Sequence, residues 1–288
     1  MTRRHKTARG DRPNTARWSR HKMLTLLAGA ALMTMVLVVG LVISVIVSFS
    51  PAHPGSRDIR TSGSLATRMT TRPSSQPSEP RAIEDSLAAR SMPTVGEDAS
   101  HPGPVSTRDP GATILLPPPT ATGPAGVPTG FGHTPDGAMA QLAAIDQAAL
   151  QSGSLAGART VIAAWALPGG PTATSWSVVA ALGALFDAAG LSGGGSPQLA
   201  LVLTPLMGLV KGSVGADFTV PCIDFELDVT LTLTARGATA DCQRMAWNGV
   251  RWMIAPGAEP ATPPSVWPDT DTAIAVGYRD LRPEPRHA

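Results

Sequence analysis

The sequence predicts an α+β fold for its second half, with helices first and a curved antiparallel sheet after them. Three observations carry this prediction: apolar stretches at helical spacing, one strand of strict period two, and an Asn-Gly hairpin signal. The domain is expected at residues 127–282, a length that can bury an adequate core. We also expect a basic tail (1–22), a membrane helix (23–49), a disordered linker (50–126) and a disordered end (283–288).

The start of the chain has the pattern of a single-pass membrane anchor. Residues 1–22 carry eight basic side chains against the single acid Asp11, and Met23–Phe49 has no charged residue. Such a run can cross a hydrocarbon core of roughly 30 Å as a helix. The alternative, a cleaved signal peptide, has a shorter apolar region, and Ser50-Pro51-Ala52 is a poor cleavage site.

The basic flank also predicts the orientation of this anchor. Basic residues beside a span stay in the cytoplasm, so the domain is expected outside a bacterial plasma membrane. Clustered arginines could instead bind DNA or anionic lipid. A basic flank is what sets topology, however, so nucleic acid is not an expected partner.

The predicted linker is rich in proline, serine and threonine and shows almost no apolar periodicity. Such a composition cannot bury enough surface to offset the conformational entropy lost on folding. We therefore expect a disordered, partly polyproline-like tether. Within it, only Ala82–Arg90 has the pattern of a transient helix.

The segment HTPDG predicts the first helix of the domain. Thr134 is a good N-cap, Pro135 suits the first helical position, and Asp136 complements the helix dipole. The apolar stripe that follows ends near Ser152. His133 has no second histidine in the domain with which to bind a metal, so a capping or surface role is favoured over catalysis.

Two further helices are predicted, at Leu155–Ala166 and Trp176–Leu191, both apolar and rich in alanine. The glycine cluster Ser192–Pro197 is interpreted as a linker, because no Lys-Ser/Thr pair follows it as in a phosphate-binding loop. Leu199–Val210 is apolar but contains a proline, and it remains ambiguous between helix and strand.

The segment Cys222–Thr234 alternates between apolar and polar residues and predicts a long, half-buried strand. The apolar face comprises Ile223, Phe225, Leu227, Val229, Leu231 and Leu233. The polar face begins with a row of three carboxylates, Asp224, Glu226 and Asp228. This row could attract a cation or a basic partner, but a solvated polar face is the favoured interpretation.

Asn248-Gly249 is a strong signal for a type I′ hairpin turn. A two-residue turn there pairs Trp247 with Val250, Met245 with Trp252 and Gln243 with Ile254. Both tryptophans of the hairpin are then core candidates, and Arg244 and Arg251 lie on the other face.

Cys222 and Cys242 are the only cysteines, and a position outside the membrane favours a disulfide. If Thr234 and Ala238 bracket a tight turn, however, Cys242 faces Thr230. Cys222 then lies about 26 Å away, beyond bonding range. A bridge and two free thiols therefore both remain open. Two cysteines alone lack the other ligands of a metal site.

Two segments, Gly126–Ala144 and Met245–Val266, resemble a family of actinobacterial bitopic proteins of integrative and conjugative elements. The second segment has the Trp, the glycine-containing turn, the second Trp and the proline-rich end of that family. These proteins resemble inner-membrane scaffold subunits of conjugation and type IV secretion machines. The resemblance implies a nuclear-transport-factor-2-like (cystatin-like) cone, with assembly as its role and no catalytic residues.

We therefore expect a non-enzymatic, membrane-anchored scaffold of a DNA-transfer or secretion complex. Its expected partners are other channel or envelope-complex subunits, and a homo-oligomer is compatible with this role. One alternative is an accessory subunit of a lipid-importing envelope complex. Another is an exocytoplasmic enzyme, for which Tyr278 and His133 are the only non-carboxylate acid/base candidates in the domain. No catalytic, cofactor-binding or metal-binding residue is predicted, and no cofactor.

Overall fold

A computed structural model describes residues 79–285. The predicted tail, the predicted membrane helix and the first part of the predicted linker lie outside these residues. Within them, no helix combines the length and the apolar character needed to span a bilayer.

Residues 79–285 form five helices and nine strands in a mixed α+β order. The helices are α1 (Glu79–Ala89), α2 (Pro135–Gln151), α3 (Leu155–Trp165), α4 (Ser177–Ala188) and α5 (Asp271–Val276). The short strands before the helices are β1 (Ile114–Leu116), β2 (Ala121–Thr122) and β3 (Pro128–Thr129). Those after them are β4 (Ala200–Val214), β5 (Phe218–Thr230), β6 (Thr234–Cys242), β7 (Met245–Trp247), β8 (Trp252–Ile254) and β9 (Arg279–Pro283).

The main sheet is a curled half-barrel of seven strands. Its order is β1-β9-β4-β5-β7-β8. Both β6 and β7 pair with the edge of β5 that faces away from β4: β7 with residues 218–219 and β6 with residues 222–230. All neighbours are antiparallel except β1 and β9. The register of β4 against β5 shifts after Pro205 and again after Val210. Such irregularities bend a strand and increase its twist, which favours curling of the sheet.

Helices α2, α3 and α4 pack on one face of this sheet, which we call the inner face. Their core includes Trp165, Trp176 and Trp252, each at most 1% exposed. The predicted apolar face of β5 is confirmed over Ile223–Val229, whose odd-numbered side chains join this core. The predicted strand runs too far, because β5 ends at Thr230 and Leu233 is 52% exposed.

The predicted helix boundaries are confirmed closely. The hydroxyl of Thr134 accepts a hydrogen bond from the amide of Gly137 at 3.1 Å, and α2 begins at Pro135. The second and third predicted helices correspond to α3 and α4. The glycine cluster after α4 is a loop, and the ambiguous segment after it is strand β4.

The structure differs from the predicted linker in its second half. Helix α1 and residues 92–100 lie against the opposite face of the sheet, which we call the outer face, and β1 pairs with β9. Residues 266–278 cover the same outer face. A segment of low apolar content can be ordered in this way because the sheet supplies the apolar surface that it lacks.

Buried cations hold α1 on the outer face. The ammonium of Lys211, which is 8% exposed, donates to the carbonyls of Ala88 (2.9 Å) and Arg90 at the end of α1. A cation at this end is also favoured by the helix dipole. Arg244, 2% exposed, forms an ion pair with Asp85 (2.7 Å) and lies 3.6 Å from Glu84. The sequence placed Arg244 on this face but not under a helix.

We expect Arg244→Gln to loosen α1 while leaving the rest of the domain folded. Loss of the ion pairs should raise amide hydrogen exchange in residues 79–89 roughly tenfold, which corresponds to about 1.4 kcal/mol of local opening free energy. Arg236→Gln is the matched control, since Arg236 lies on β6 and pairs with Glu226 and Asp228 instead. Equal exchange of residues 79–89 in both variants would contradict this role of Arg244.

The cysteines are joined by a disulfide, which resolves the alternative left open by the sequence. Cys222 on β5 lies directly opposite Cys242 on β6, with 4.1 Å between their Cα atoms. The turn between the strands comprises residues 231–233, so Thr230 faces Thr234 rather than Cys242. The assumed turn at Thr234–Ala238 is therefore wrong by several residues, and the 26 Å separation that followed from it disappears.

The predicted β7–β8 hairpin exists, but its register is shifted by two residues. Trp247 pairs with Trp252 and Met245 with Ile254, so the loop has four residues rather than two. The carboxamide oxygen of Asn248 accepts hydrogen bonds from the amides of Val250 (3.0 Å) and Arg251 (2.9 Å), which stabilises the longer loop. A shift of two preserves the face of each side chain that stays paired, so the predicted burial of Trp252 is confirmed. Arg251 instead falls in the loop and its guanidinium lies over the ring of Trp165 in the inner core, so its predicted position on the other face is wrong.

Candidate functional site

A cluster of three carboxyl groups lies on the inner side of the sheet. Asp146 comes from α2, Asp241 from β6 and Glu259 from the loop after β8. Asp241 pairs with Ile223, a member of the inner core, and cross-strand partners share a face. Asp146 is only 1% exposed, whereas Asp241 and Glu259 are half-buried. We call these three residues the inner carboxyl cluster.

Gln243 connects two members of the inner carboxyl cluster. Its side-chain amide donates to Asp241 at 3.0 and 3.2 Å and to Glu259 at 3.3 Å. Gln243 lies in the two-residue interruption between β6 and β7 and is 1% exposed. The interruption therefore places a buried amide between two acids that come from different elements.

Glu259 also caps helix α4. Its carboxylate accepts hydrogen bonds from the Ser177 amide at 3.1 and 3.3 Å and from the Ser177 hydroxyl at 3.0 Å. The N-cap residue of α4 is Trp176, whose side chain makes no capping hydrogen bond. Glu259 thus supplies the negative charge and the acceptor that the N-terminus of a helix requires. Through Glu259, the inner carboxyl cluster therefore contacts the first residue of α4 and helps to hold that helix in place.

Burial changes the acidity of two members of the cluster. The pKa of Asp146 lies well above its usual value, mainly because burial removes water from the carboxylate and also because Asp241 and Glu259 are negative. Burial, followed by the charge of Glu259, raises the pKa of Asp241 to about 7. Hydrogen bonds from Gln243 and the Cys242 amide act in the opposite direction. Asp241 is therefore only partly ionised near neutral pH, and Asp146 binds its proton more tightly than an ordinary aspartate.

The chemistry available to the inner carboxyl cluster is proton binding and hydrogen bonding. Both carboxyl oxygens of Asp146 are sealed from solvent. Within residues 79–285, no three His, Cys, Asp or Glu side chains converge as a metal site would require. A surface groove of about 400 Å³ lies elsewhere, between residues 98–107 and 270–272.

The structure splits the predicted row of carboxylates on β5. Asp224 is fully buried, which contradicts the expected solvated face, because residues 266–278 cover it. Its carboxylate accepts a hydrogen bond from the Val266 amide at 3.3 Å, and burial raises its pKa well above the usual value. Glu226 and Asp228 bind the guanidinium of Arg236, with 2.9 and 3.1 Å from Nε to one oxygen of each.

The two non-carboxylate acid/base candidates lie in separate environments. The His133 ring stacks on Trp247, with 4.4 Å between ring centroids, and its Nε2 lies 2.9 Å from an Asp217 oxygen. Tyr278 is fully buried, and its hydroxyl donates to the Pro264 carbonyl at 3.0 Å. Burial raises the pKa of Tyr278 well above its usual value. Each has a structural contact that accounts for its position.

Sequence reasoning missed every member of the inner carboxyl cluster. One signal was available: Asp146 interrupts the apolar stripe of α2, directly after the buried Ile145. Asp241 and Gln243 flank a cysteine in a strand of unknown register, and Glu259 lies in a proline-containing loop. Their meeting depends on long-range packing that no local pattern records.

The fold and the site define a mixed α+β domain with a curled antiparallel sheet and a buried carboxyl cluster. No protein-family model, curated protein or solved structure matches the chain. The assignment of a function therefore depends on the residues themselves.

Proposed function

We propose that the chain is a non-enzymatic, membrane-anchored scaffold of a DNA-transfer or secretion complex. In this proposal Met23–Phe49 crosses the plasma membrane once, with residues 1–22 in the cytoplasm and the α+β domain outside. The domain acts by contact with other channel subunits and with the membrane nearby. Its helices on a curled sheet are compatible with a nuclear-transport-factor-2-like cone, which we include in the proposal.

The observation that carries this proposal is the filled inner face of the sheet. Trp165, Trp176 and Trp252 are buried together with the apolar side of α2, and both oxygens of Asp146 on that helix are sealed from solvent. A ligand-binding cone keeps a concave, accessible pocket with a few polar groups aimed into it. A filled inner face leaves the exposed surface of the domain for contacts, and this supports a role in assembly.

The proposal predicts that function requires the domain to be held at the membrane. Replacing Met23–Phe49 by a cleavable export signal should reduce DNA transfer or secretion in the source strain by at least about a hundredfold. The physical reason is that tethering raises the effective concentration of the domain beside membrane partners, an effect on the order of 10²–10⁴. The measurement is transfer frequency, with immunoblots showing equal amounts of exported domain.

The matched control replaces Met23–Phe49 by an unrelated apolar helix of equal length, which should restore transfer. Full transfer with the untethered domain would contradict the scaffold proposal. Catalytic turnover by the purified chain would assign it to the enzymes instead.

A further inference from the structure

The inner carboxyl cluster concentrates negative charge without a compensating cation. Within residues 79–285, no Lys, Arg or His forms an ion pair with any of its three members. Asp241 and Glu259 share the single side-chain amide of Gln243. Buried carboxylates that lack a cation are costly in free energy, and a bound proton removes that cost.

Buried, unpaired hydrogen-bonding atoms of Gln243 and Asp146 indicate where such a proton fits. The Gln243 side chain is 1% exposed and donates into the cluster, yet its carbonyl oxygen has no donor among the described residues. Both oxygens of Asp146 also lack a partner there. A protonated carboxyl group has an O–H donor, which carboxylates cannot provide. The site thus has acceptors in excess, and protons would satisfy them.

We propose that Asp241 and Asp146 form a proton-binding site beside Glu259 that couples the docking of helix α4 to pH. With protons bound, Glu259 holds the N-terminus of α4 while Asp241 stays neutral beside it. When Asp241 loses its proton, Asp241 and Glu259 are both negative and share the single side-chain amide of Gln243. Their repulsion weakens the contact between Glu259 and Ser177 and loosens the start of α4.

Among the described residues, the other groups around the site place no cation beside Asp241. Burial, and then the charges of Asp224 and Asp241, raises the pKa of Tyr278 on the segment that covers the outer face, so its hydroxyl stays neutral at these pH values. Arg244, close in sequence to Asp241, is turned to the outer face and pairs with residues of α1. Asp146 on α2 is the remaining charged neighbour and adds negative charge when it ionises.

The sign of the pH dependence follows from linkage. The pKa of Asp241 is higher in the folded chain, about 7, than its reference value of 3.8, so the folded state binds more protons between these values. The free energy of unfolding therefore falls as pH rises through this window. The raised pKa values of Asp146 and of the separate buried Asp224 act in the same direction.

The test measures the melting temperature of the full chain in mild detergent between pH 5.5 and 8.0, with tryptophan fluorescence as the signal for unfolding. The wild type should lose roughly 3–8 °C across this range. Asp241→Asn should flatten the slope below about pH 7 measurably, because the amide carries no titrating proton. Asp146→Asn serves as a second variant at the same site if the first fails to fold.

Asp187→Asn is the matched control, since Asp187 is an exposed carboxylate on α4 and should keep the wild-type slope. Hydrogen exchange of residues 173–186 in the wild type, corrected for intrinsic rates, should be faster at pH 8 than at pH 6. A wild-type melting temperature that stays constant or rises overturns the proposal. So does an unchanged slope in both cluster variants, or equal corrected exchange at the two pH values.

Discussion

Trp252→Ala is expected to lower the free energy of unfolding by roughly 3–5 kcal/mol, the range for removing a large buried aromatic side chain. Trp252 is 1% exposed in the inner core, and its indole N–H donates to the Gly132 carbonyl at 3.0 Å. Its ring also meets the edges of His133 and Trp247, with centroids 5.5 and 5.6 Å away. The substitution removes the packing and leaves a carbonyl without its donor.

Urea unfolding followed by circular dichroism measures this effect. Val250→Ala is the matched control from the same hairpin, because Val250 is 75% exposed and its side chain contributes little buried area. The control should unfold within about 0.5 kcal/mol of the wild type. If Trp252→Ala unfolds at the same urea concentration as Val250→Ala, the packing described for β8 is wrong.

Removal of the disulfide is the second large effect. The double variant Cys222→Ala/Cys242→Ala should lose about 3 kcal/mol, because the bridge closes a loop across a sequence separation of 20 residues and limits the unfolded chain. Both cysteines are also buried on the outer face of the sheet, in a cluster with Met207 and Tyr278. Loss of the two sulfur atoms therefore adds a small packing defect to the entropic effect.

Reductant provides the control for the disulfide. Dithiothreitol should destabilise the wild type but leave the double variant unchanged, and non-reduced peptide mass spectrometry should recover a peptide that joins Cys222 to Cys242. Recovery of both residues as separate thiols from the oxidised chain would contradict the β5–β6 register. A wild type that is insensitive to reductant under unfolding conditions would contradict the stabilising role.

Local chemistry was sufficient to predict helices α2, α3 and α4 and the apolar face of the main strand. The Thr134 cap and the Pro135 start depend on atoms within a few residues of each other, and the apolar alternation of β5 needs only the geometry of an extended chain. The burial of Trp252 was predicted for the same reason. A register shift of two residues in the hairpin preserves the face of the side chains that stay paired, and only the loop residues Val250 and Arg251 depart from the prediction.

Tertiary structure alone decided the register of β5 against β6 and which segments cover the outer face of the sheet. The position of the β5–β6 turn decides whether Cys222 meets Cys242, and an error of a few residues moved the predicted partner by many ångströms. Asp224 alternates correctly with Phe225 but is buried, because a second layer covers the polar face. No pattern within β5 can report that layer, since the residues forming it are distant in sequence.

Local sequence patterns thus determined helices α2 to α4, the strand β5 and the apolar side of each. Tertiary packing decided that α1 docks through Lys211 and Arg244, and that Asp241 and Glu259 share Gln243 while Asp146 is buried close enough to be affected by their charge. The physical reason is the range of the forces involved. Capping and periodicity act within a few residues, whereas burial of a charge depends on which distant element removes its water.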